Sequence, residues 1–192
     1  MADLCTPELQ TTRLILRIPH ADEAQKVVTY YENNRAHLQS TSPSYAMNFF
    51  AVAFWREQLR LNLDEFQKDA SLKLFLFERE NPDAIIGSVN FNNFVRRAGQ
   101  YCALGYGLDR DKEGQGMMTE ALRQAIDYLF TTLNMHRIIA NYMPWNVRSG
   151  NVLRKLGFEE EGYARQFLFI NGKWEDHIMT ALINQSWDPR RA

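Results

Sequence analysis

The residues best suited to chemistry are two glycines, Gly114 and Gly116, which flank Gln115 between a strand-like and a helix-like segment. Glycines let a backbone approach a ligand closely, and the N-terminus of a helix attracts negative charge. The stretch therefore predicts a phosphate cradle. No Lys-Ser/Thr pair follows, which excludes a Walker-type loop, and no third glycine completes a dinucleotide fingerprint. Taken alone, the stretch is equally well interpreted as a plain strand-to-helix turn.

The segments on either side predict how this loop is held. Residues 101–108 read as a strand, and residues 119–133 carry the broad apolar face of an amphipathic helix. A further strand is predicted at 137–142 and a short helix at 149–156, which Gly157 ends. A strand, a helix and a second strand in this order predict a parallel strand pair.

The remainder of the chain predicts antiparallel pairs, with a turn at 81–83 and a type I′ hairpin turn at Asn171-Gly172. The predicted elements are strands at 13–18, 72–78, 85–91, 158–170 and 174–183, and helices at 22–34 and 48–68. Together they indicate the α+β class, with a mixed, mostly antiparallel, twisted sheet flanked by helices. We expect one domain over residues 1–192, with its core at about 11–187.

The composition excludes several classes of function. The 22 Lys and Arg residues balance 23 Asp and Glu residues in a chain of 192, so no overall charge favours nucleic acid. Cys5 and Cys102 form no metal-binding spacing. No apolar run approaches about 18 residues, and the N-terminus lacks the apolar region of a signal peptide. We expect a soluble, cytoplasmic protein with no metal, no membrane contact and no direct nucleic-acid site.

A second constellation follows the strand at 137–142. It consists of Asn146-Val147-Arg148-Ser149 and, shortly afterwards, Lys155-Leu156-Gly157-Phe158. This N-x-x-S and K-L-G-F pair, together with the glycine loop, resembles the GNAT acyl-CoA N-acetyltransferase family. The stretches Thr12–Arg17 and 171–177 resemble one branch, the ribosomal-protein-alanine N-acetyltransferases. The resemblance spans residues 11–187.

The resemblance implies acetyl-CoA as cosubstrate and the N-terminal α-amine of a protein as acceptor. By the branch, that acceptor is an alanine at the start of a small-subunit ribosomal protein. The implied positions for the pantetheine arm are Tyr106, Gly107 and Leu108, and those for the pyrophosphate are the N–H groups of Gly114, Gln115, Gly116, Met117 and Met118. Asn146 is expected to orient the pantetheine amides or to cap its helix. Glu113 replaces the Gln or Arg of the family, so we expect its carboxylate to point to solvent.

The resemblance assigns the general acid by default. Leu153 stands where many relatives have a tyrosine that protonates the leaving thiolate, which makes Ser149 the candidate. Ser149 is equally suited to capping the helix that it opens, and both roles are open. A backbone N–H near Tyr106 is the expected donor to the oxyanion.

The general base is left open. Asn141 stands at the catalytic position where some relatives have a glutamate, and an amide cannot accept a proton; Leu168 replaces the glutamate of another relative. The alternatives are water or one of the side chains Glu32, Glu161, Glu175, Asp176 and His177. An N-terminal α-amine has a pKa of about 8, so part of it is already neutral at pH 7.

Two other functions fit the sequence. One is the same chemistry on a small amine such as a polyamine, an amino sugar or an antibiotic. The other is a non-catalytic CoA-binding factor in ribosome assembly or regulation, which the residues at Asn141 and Leu153 keep open. A wide, shallow acceptor groove would favour a peptide, whereas a closed acidic pocket would favour a small cation.

Overall fold

The computed structural model describes residues 6–191, so Cys5 lies outside the described part. The strands are β1 Glu8–Gln10, β2 Leu14–Arg17, β3 Leu72–Glu78, β4 Asn81–Val95, β5 Tyr101–Leu108, β6 Arg137–Tyr142, β7 Glu159–Ile170 and β8 Lys173–Ile183. The helices are α1 Ala24–Asn33, α2 Arg35–Gln39, α3 Val52–Gln67, α4 Met117–Thr131 and α5 Val147–Lys155. Short 3-10 turns at Ala21–Glu23, Arg110–Lys112 and Pro189–Arg191 complete the described elements.

The eight strands form one sheet in the order β1-β2-β3-β4-β5-β6-β8-β7. Every neighbouring pair is antiparallel except β5 and β6, which are parallel. The predicted α+β fold, with a mixed and mostly antiparallel sheet, is therefore confirmed. Within residues 6–191, no helix combines the length and apolar character needed to cross a membrane.

The turn between β3 and β4 differs from the prediction. It lies at Arg79-Glu80, and the predicted turn residues at 81–83 belong to β4. The cause is an irregular register at the end of β3, where Phe77 pairs with Ile85 but Glu78 pairs with Asn81. A bulge of this kind displaces the turn without changing the local turn signals of the sequence.

Two hydrophobic cores cover the two faces of the sheet. On one face, α4 buries an apolar stripe that consists of Ala121, Leu122, Ala125, Ile126 and Leu129. On the other face, α1 and α3 pack on β3 and β4, with Val27, Trp55 and Leu59 among the buried residues. Each large apolar side chain that leaves water stabilises the fold by about 1.5–3 kcal/mol. The sheet is thus fixed from both sides, which holds its central strands in place.

The central parallel pair separates soon after it begins. Strands β5 and β6 pair only from Tyr101 with Arg137 to Ala103 with Ile139. Beyond that point β5 continues along β4 to Leu108, and β6 continues along β8 to Tyr142. The two strands therefore leave an opening between them, which we call the wedge, bounded by residues 104–108 of β5 and 140–142 of β6.

Candidate active site

The wedge presents free backbone groups from β5. The Asp109 N–H donates to the Ile86 carbonyl of β4 at 2.7 Å, whereas the Gln100 carbonyl accepts the Arg137 N–H at 3.1 Å. Because backbone groups alternate sides along a strand, even-numbered residues of β5 turn theirs towards β6. Tyr106 and Leu108 therefore direct their N–H and C=O groups into the wedge. Gly107 directs its own groups to β4, so a pantetheine arm pairing with this edge would use its two neighbours.

The glycine loop follows β5 and forms the start of α4. Gly114 and Gly116 have φ values of +73° and +76°, and Gly116 is the N-cap of the helix. The N–H groups of Met117, Met118 and Thr119 lie in the first turn, where no helical carbonyl precedes them to act as acceptor. A Cβ placed on Gly114 would meet no atom within 4 Å. The loop therefore offers an open face lined with N–H groups, which fits a pyrophosphate.

The side chains of Met117 and Met118 take no part in this face. They are 7% and 6% exposed and pack into the core beneath α4. Only their backbone N–H groups are left for a ligand. The Met118 side chain therefore leaves the N–H face of the loop unobstructed.

An ion pair behind the loop fixes its shape. The Arg13 guanidinium donates to the Glu120 carboxylate at 2.7 Å and to the Gln115 carbonyl at 3.1 Å, and the Thr11 hydroxyl donates to Glu120 at 2.6 Å. Burial would raise the pKa of Glu120, but the hydrogen bonds from Thr11 and Arg13 outweigh it and lower that pKa. The carboxylate is thus charged and neutralises Arg13. No local pattern in the sequence signals this support, because it joins residues more than 100 positions apart.

The expectation that Glu113 points to solvent is wrong. Its carboxylate pairs with Arg148 of α5 and lies 3.2 Å from His37 Nε2 of α2, and its side chain is only 25% exposed. Glu113 follows β5 and Arg148 follows β6, so the pair spans the mouth of the wedge. Arg148, whose side chain is 77% exposed, compensates the carboxylate charge beside the phosphate cradle.

Tyr106 and Ser149 meet across the wedge. Their hydroxyl oxygens lie 2.7 Å apart, and the Tyr106 hydroxyl also lies 3.2 Å from the Ser149 carbonyl, to which it can donate. Burial raises the pKa of Tyr106 to about 12, although its hydrogen bond with Ser149 acts in the opposite direction. Both hydroxyls therefore keep their protons at neutral pH. Both residues are predicted site positions, but the contact between their side chains has no signal in the sequence, because they lie 43 residues apart.

The structure settles which residue caps α5. The N-cap is Asn146, whose side-chain oxygen accepts the Ser149 N–H at 3.2 Å. Ser149 lies inside the first turn, where its hydroxyl faces Tyr106 instead of the helix backbone. The capping role that was open for Ser149 therefore belongs to Asn146. Both residue types can cap a helix, so only the backbone conformation distinguishes them.

Asn141 lies on β6, two residues beyond the last pairing with β5. Its side-chain oxygen is buried and has no hydrogen-bond partner among residues 6–191. The structure thus brings Tyr106, Asn146 and Ser149 together and leaves Asn141 unconnected to them. An amide at this point can orient a donor but cannot remove a proton.

Most of the side chains considered as general bases are engaged elsewhere. Asp176 accepts hydrogen bonds from the Tyr163 hydroxyl at 2.6 Å and from the Gln166 N–H at 2.8 Å, which holds the irregular segment of β7. Glu175 pairs with Lys173 at 2.8 Å, and Glu161 pairs with Arg137. His177 is buried, with its ring 5.5 Å from that of Phe167. Glu32, the fifth candidate, lies exposed on α1.

Neither a cysteine nucleophile nor a metal-binding cluster is available among residues 6–191. Burial raises the pKa of Cys102 to about 12, so its thiol stays protonated within the core and is not an accessible nucleophile. Among the residues from 6 to 191, no three His, Cys, Asp or Glu side chains lie close enough together to hold a metal ion.

Known proteins resemble this chain along almost all of its length. Residues 13–159 match the family model described as an acetyltransferase (GNAT) domain. The [ribosomal protein uS5]-alanine N-acetyltransferase of Escherichia coli (strain K12) is 42% identical over 184 residues, which cover 95% of this chain and 94% of that protein. The match therefore leaves no large part of either chain unaligned.

Solved structures agree with the sequence comparison. The ribosomal-protein-S5-alanine acetyltransferase of Vibrio fischeri superposes with a TM-score of 0.91 at 33% identity, covering 95% of this chain and 100% of that one. Mycobacterium smegmatis RimJ, solved in complex with CoA-disulfide, superposes with a TM-score of 0.83 at 25% identity, covering 95% and 88%. The free strand edge, the loop at the start of α4 and these matches lead to one conclusion: the chain belongs to the GNAT acetyltransferase family and is an acetyl-CoA-dependent N-acetyltransferase.

Proposed function

We propose that this enzyme transfers the acetyl group of acetyl-CoA to the α-amine of the N-terminal alanine of ribosomal protein uS5. The relatives named for this activity, from E. coli and V. fischeri, match 95% of the chain. The observation that carries the proposal is the wedge itself, with a phosphate cradle at its mouth and the Tyr106–Ser149 pair inside. The proposed reaction belongs in the cytoplasm, where ribosomal proteins are made.

Different backbone groups of the chain bind the separate parts of acetyl-CoA. The N–H groups from Gly114 to Met118 hold the pyrophosphate, and the positive end of α4 adds to the attraction. The free backbone groups of Leu108 pair with the pantetheine arm as a peptide would in strand addition. Acetyl-CoA supplies the activated acetyl group. The Tyr106 N–H, turned into the wedge, donates to the carbonyl oxygen as negative charge develops on it.

The Tyr106–Ser149 pair donates a proton to the leaving thiolate. The acceptor amine forms a bond to the acetyl carbon, the carbon–sulfur bond breaks, and the thiolate takes a proton from the Ser149 hydroxyl. Ser149 recovers that proton from Tyr106, with which it already shares a hydrogen bond of 2.7 Å. The pair is restored by the proton that the amine gives up through water. Such a proton donor contributes about 10²–10⁴-fold to the rate.

No side-chain base is needed in this scheme. An α-amine has a pKa of about 8, and a fraction near one tenth is neutral at pH 7. Asn141 offers no group that could remove a proton from the amine, because an amide is not basic. A lysine ε-amine, with a pKa of about 10.4, would present a far smaller neutral fraction. The site therefore favours an N-terminal acceptor.

The acceptor side of the wedge suits a peptide better than a small cation. A Cβ placed on Gly105 would meet no atom within 4 Å, so the sheet face above this residue of β5 is open. The neighbouring strand β4 presents Ser88, Asn90 and Asn92 on the same face, which are neutral residues. A polyamine site would require carboxylates at this place.

Incubation of the enzyme with acetyl-CoA and either purified uS5 or spermidine tests the proposal. We expect acetylated uS5 in the intact-protein mass spectrum and no turnover of spermidine above background. Turnover of spermidine without any modified ribosomal protein would overturn it. Binding of CoA without transfer to either acceptor would instead support the non-catalytic factor.

A further inference from the structure

We propose that a cavity beside the wedge receives the side chain of the acceptor's second residue, and that it selects planar, uncharged side chains. This inference rests on the proposed function, because it assumes a polypeptide acceptor whose α-amine enters the wedge. It adds a specificity site that neither the glycine loop nor the Tyr106–Ser149 pair supplies.

The cavity has a volume of about 270 Å³ and lies between α3 and the sheet. Its wall is aromatic and consists of Tyr31, Phe49, Phe54, Trp55 and Phe75. The rings of Tyr31 and Trp55 are stacked, with centroids 5.0 Å apart, and Phe49 meets Trp55 edge-on at 5.1 Å. These mutual contacts hold the wall in one shape. A flat ring or amide can stack against such a wall, which favours planar groups.

The floor of the cavity is polar and uncommitted. Asn90 and Asn92 lie two residues apart on β4, so their side chains share the face that lines the cavity. Both residues are half-buried. Neither side-chain amide makes a hydrogen bond to another of residues 6–191. Gln58, at the rim, already donates to Asn62 at 2.9 Å. Each asparagine amide offers two donors and one acceptor to a ligand, so the floor can bind a side chain that carries hydrogen-bonding groups.

The lining carries no unpaired charge. Among the described residues that line the cavity, Lys73 is the one with a cationic side chain. The Lys73 ammonium group lies 2.6 Å from the Glu65 carboxylate, which neutralises it. A charged side chain that entered the cavity would lose its hydration without gaining a free counter-ion. The cavity therefore disfavours Lys, Arg, Asp and Glu at the position it reads.

The cavity lies within reach of a peptide that enters the wedge. Asn90 pairs with Gly105, and Asn92 pairs with Ala103, so the floor is the strand adjacent to the open face of β5. Neighbouring strands are about 4.8 Å apart. An extended chain advances about 3.3–3.6 Å per residue, which brings the second residue over β5, and its side chain then spans the remaining distance to β4. The volume also lies below the roughly 300–1,000 Å³ of sites for whole small molecules, and so suits a single side chain.

The test is a set of Ala-Xaa peptides that differ only in the second residue. We expect kcat/KM for His, Asn, Gln or Tyr at this position to exceed that for Lys, Asp or Gly by about tenfold. In the Asn90→Ala, Asn92→Ala double variant this ratio falls to within about twofold of one, while KM for acetyl-CoA is unchanged. Gln67→Ala, which removes an exposed amide of α3 outside the cavity, serves as the matched control and keeps the wild-type ratio.

A second variant covers the case in which the double variant does not fold. Asn90→Asp preserves shape and adds a negative charge to the floor, so we expect the preference to shift towards Lys at the second position. Equal rates for all peptides with the wild-type enzyme would overturn the inference while leaving the proposed function intact. An unaltered preference in both variants would overturn it as well. No transfer to any peptide would instead be a failure of the proposed function.

Discussion

The hydroxyl groups of Tyr106 and Ser149 lie 2.7 Å apart and join the two sides of the wedge. Tyr106 comes from β5 and Ser149 from the first turn of α5, so the parallel strand pair and its separation create this contact. Asn146 caps α5 and thereby leaves the Ser149 hydroxyl free to face Tyr106. The proposed proton transfer depends on this division of roles.

Ser149→Ala tests that contact. We expect kcat to fall by about 100-fold because the leaving thiolate loses its proton donor, with little change in KM for acetyl-CoA. Tyr106→Phe is expected to have a similar effect, and the double variant should lose little more than either single one, since the two hydroxyls act in sequence. Steady-state acetylation of uS5 measures all three. A kcat for Ser149→Ala within twofold of the wild-type value would contradict the assignment.

The glycine loop predicts a position-dependent effect of alanine. Gly116→Ala forces a Cβ onto a residue with φ of +76°, which costs roughly 1–2 kcal/mol and distorts the N–H face of the loop. We expect a lower melting temperature and a higher KM for acetyl-CoA. Gly162→Ala is the matched control, because its φ is ordinary and an added Cβ would meet nothing within 4 Å. Equal KM values for the two variants would argue against a phosphate cradle here.

The Glu113–Arg148 pair predicts a gain in affinity. Glu113→Gln removes a negative charge beside the cradle and releases the Arg148 guanidinium for the phosphates, so we expect Kd for CoA to decrease by a few-fold at low salt. The gain should shrink at high ionic strength, since Arg148 is largely exposed. Isothermal titration calorimetry measures both, with Glu57→Gln on the distant helix α3 as control. Weaker binding by Glu113→Gln would show that the pair supports the loop more than it repels the ligand.

The absence of a carboxylate at Asn141 predicts the pH dependence of the reaction. We expect kcat/KM for uS5 to rise with pH and to level off only above about 8, where the α-amine is neutral. Asn141→Glu should shift the rising limb to lower pH, because a carboxylate can accept the amine proton. A wild-type profile that is already level at pH 7 would reveal a side-chain base that this mechanism lacks.

The Arg17–Glu23 pair predicts a loss of stability in acid. The hydrogen bond from Arg17 lowers the pKa of Glu23 from 4.5 to about 2, despite partial burial. Because the folded pKa lies below the unfolded one, the stabilisation is complete above pH 4.5 and is lost as the pH falls towards 2. We expect Glu23→Gln to reduce the free energy of unfolding at pH 7 by about 1.5–3 kcal/mol. Urea denaturation at pH 7 and pH 3 should show a smaller difference between variant and wild type at pH 3.

The elements with strong local signals were predictable from the sequence. Strands β5 and β6 have the predicted bounds, and the Asn171-Gly172 turn has positive φ at both residues, as a type I′ turn requires. Strand β1 was missed because three residues, Glu8–Gln10, pair with β2 through backbone bonds and carry no pattern. Helix α2, with five residues, is too short to show a period.

The site was predictable as a set of positions but not as a set of contacts. Sequence motifs located the loop and Ser149, yet the partner of Ser149 is 43 residues away. Glu113 was placed wrongly because its partners, His37 and Arg148, come from two different helices. Asn90 and Asn92 gave no signal, since their position beside the wedge follows from the pairing of β4 with β5. Contacts of this kind depend on the order of strands in the sheet.

The central claim is that the acetyl group reaches the α-amine of an N-terminal alanine. Tandem mass spectrometry of uS5 after incubation with the enzyme and acetyl-CoA locates the modification. The proposed function predicts one acetyl group on Ala at the N-terminus, present with the wild-type enzyme and nearly absent with Ser149→Ala. Acetylation confined to lysine side chains, or an unmodified N-terminus at complete turnover of acetyl-CoA, would contradict it.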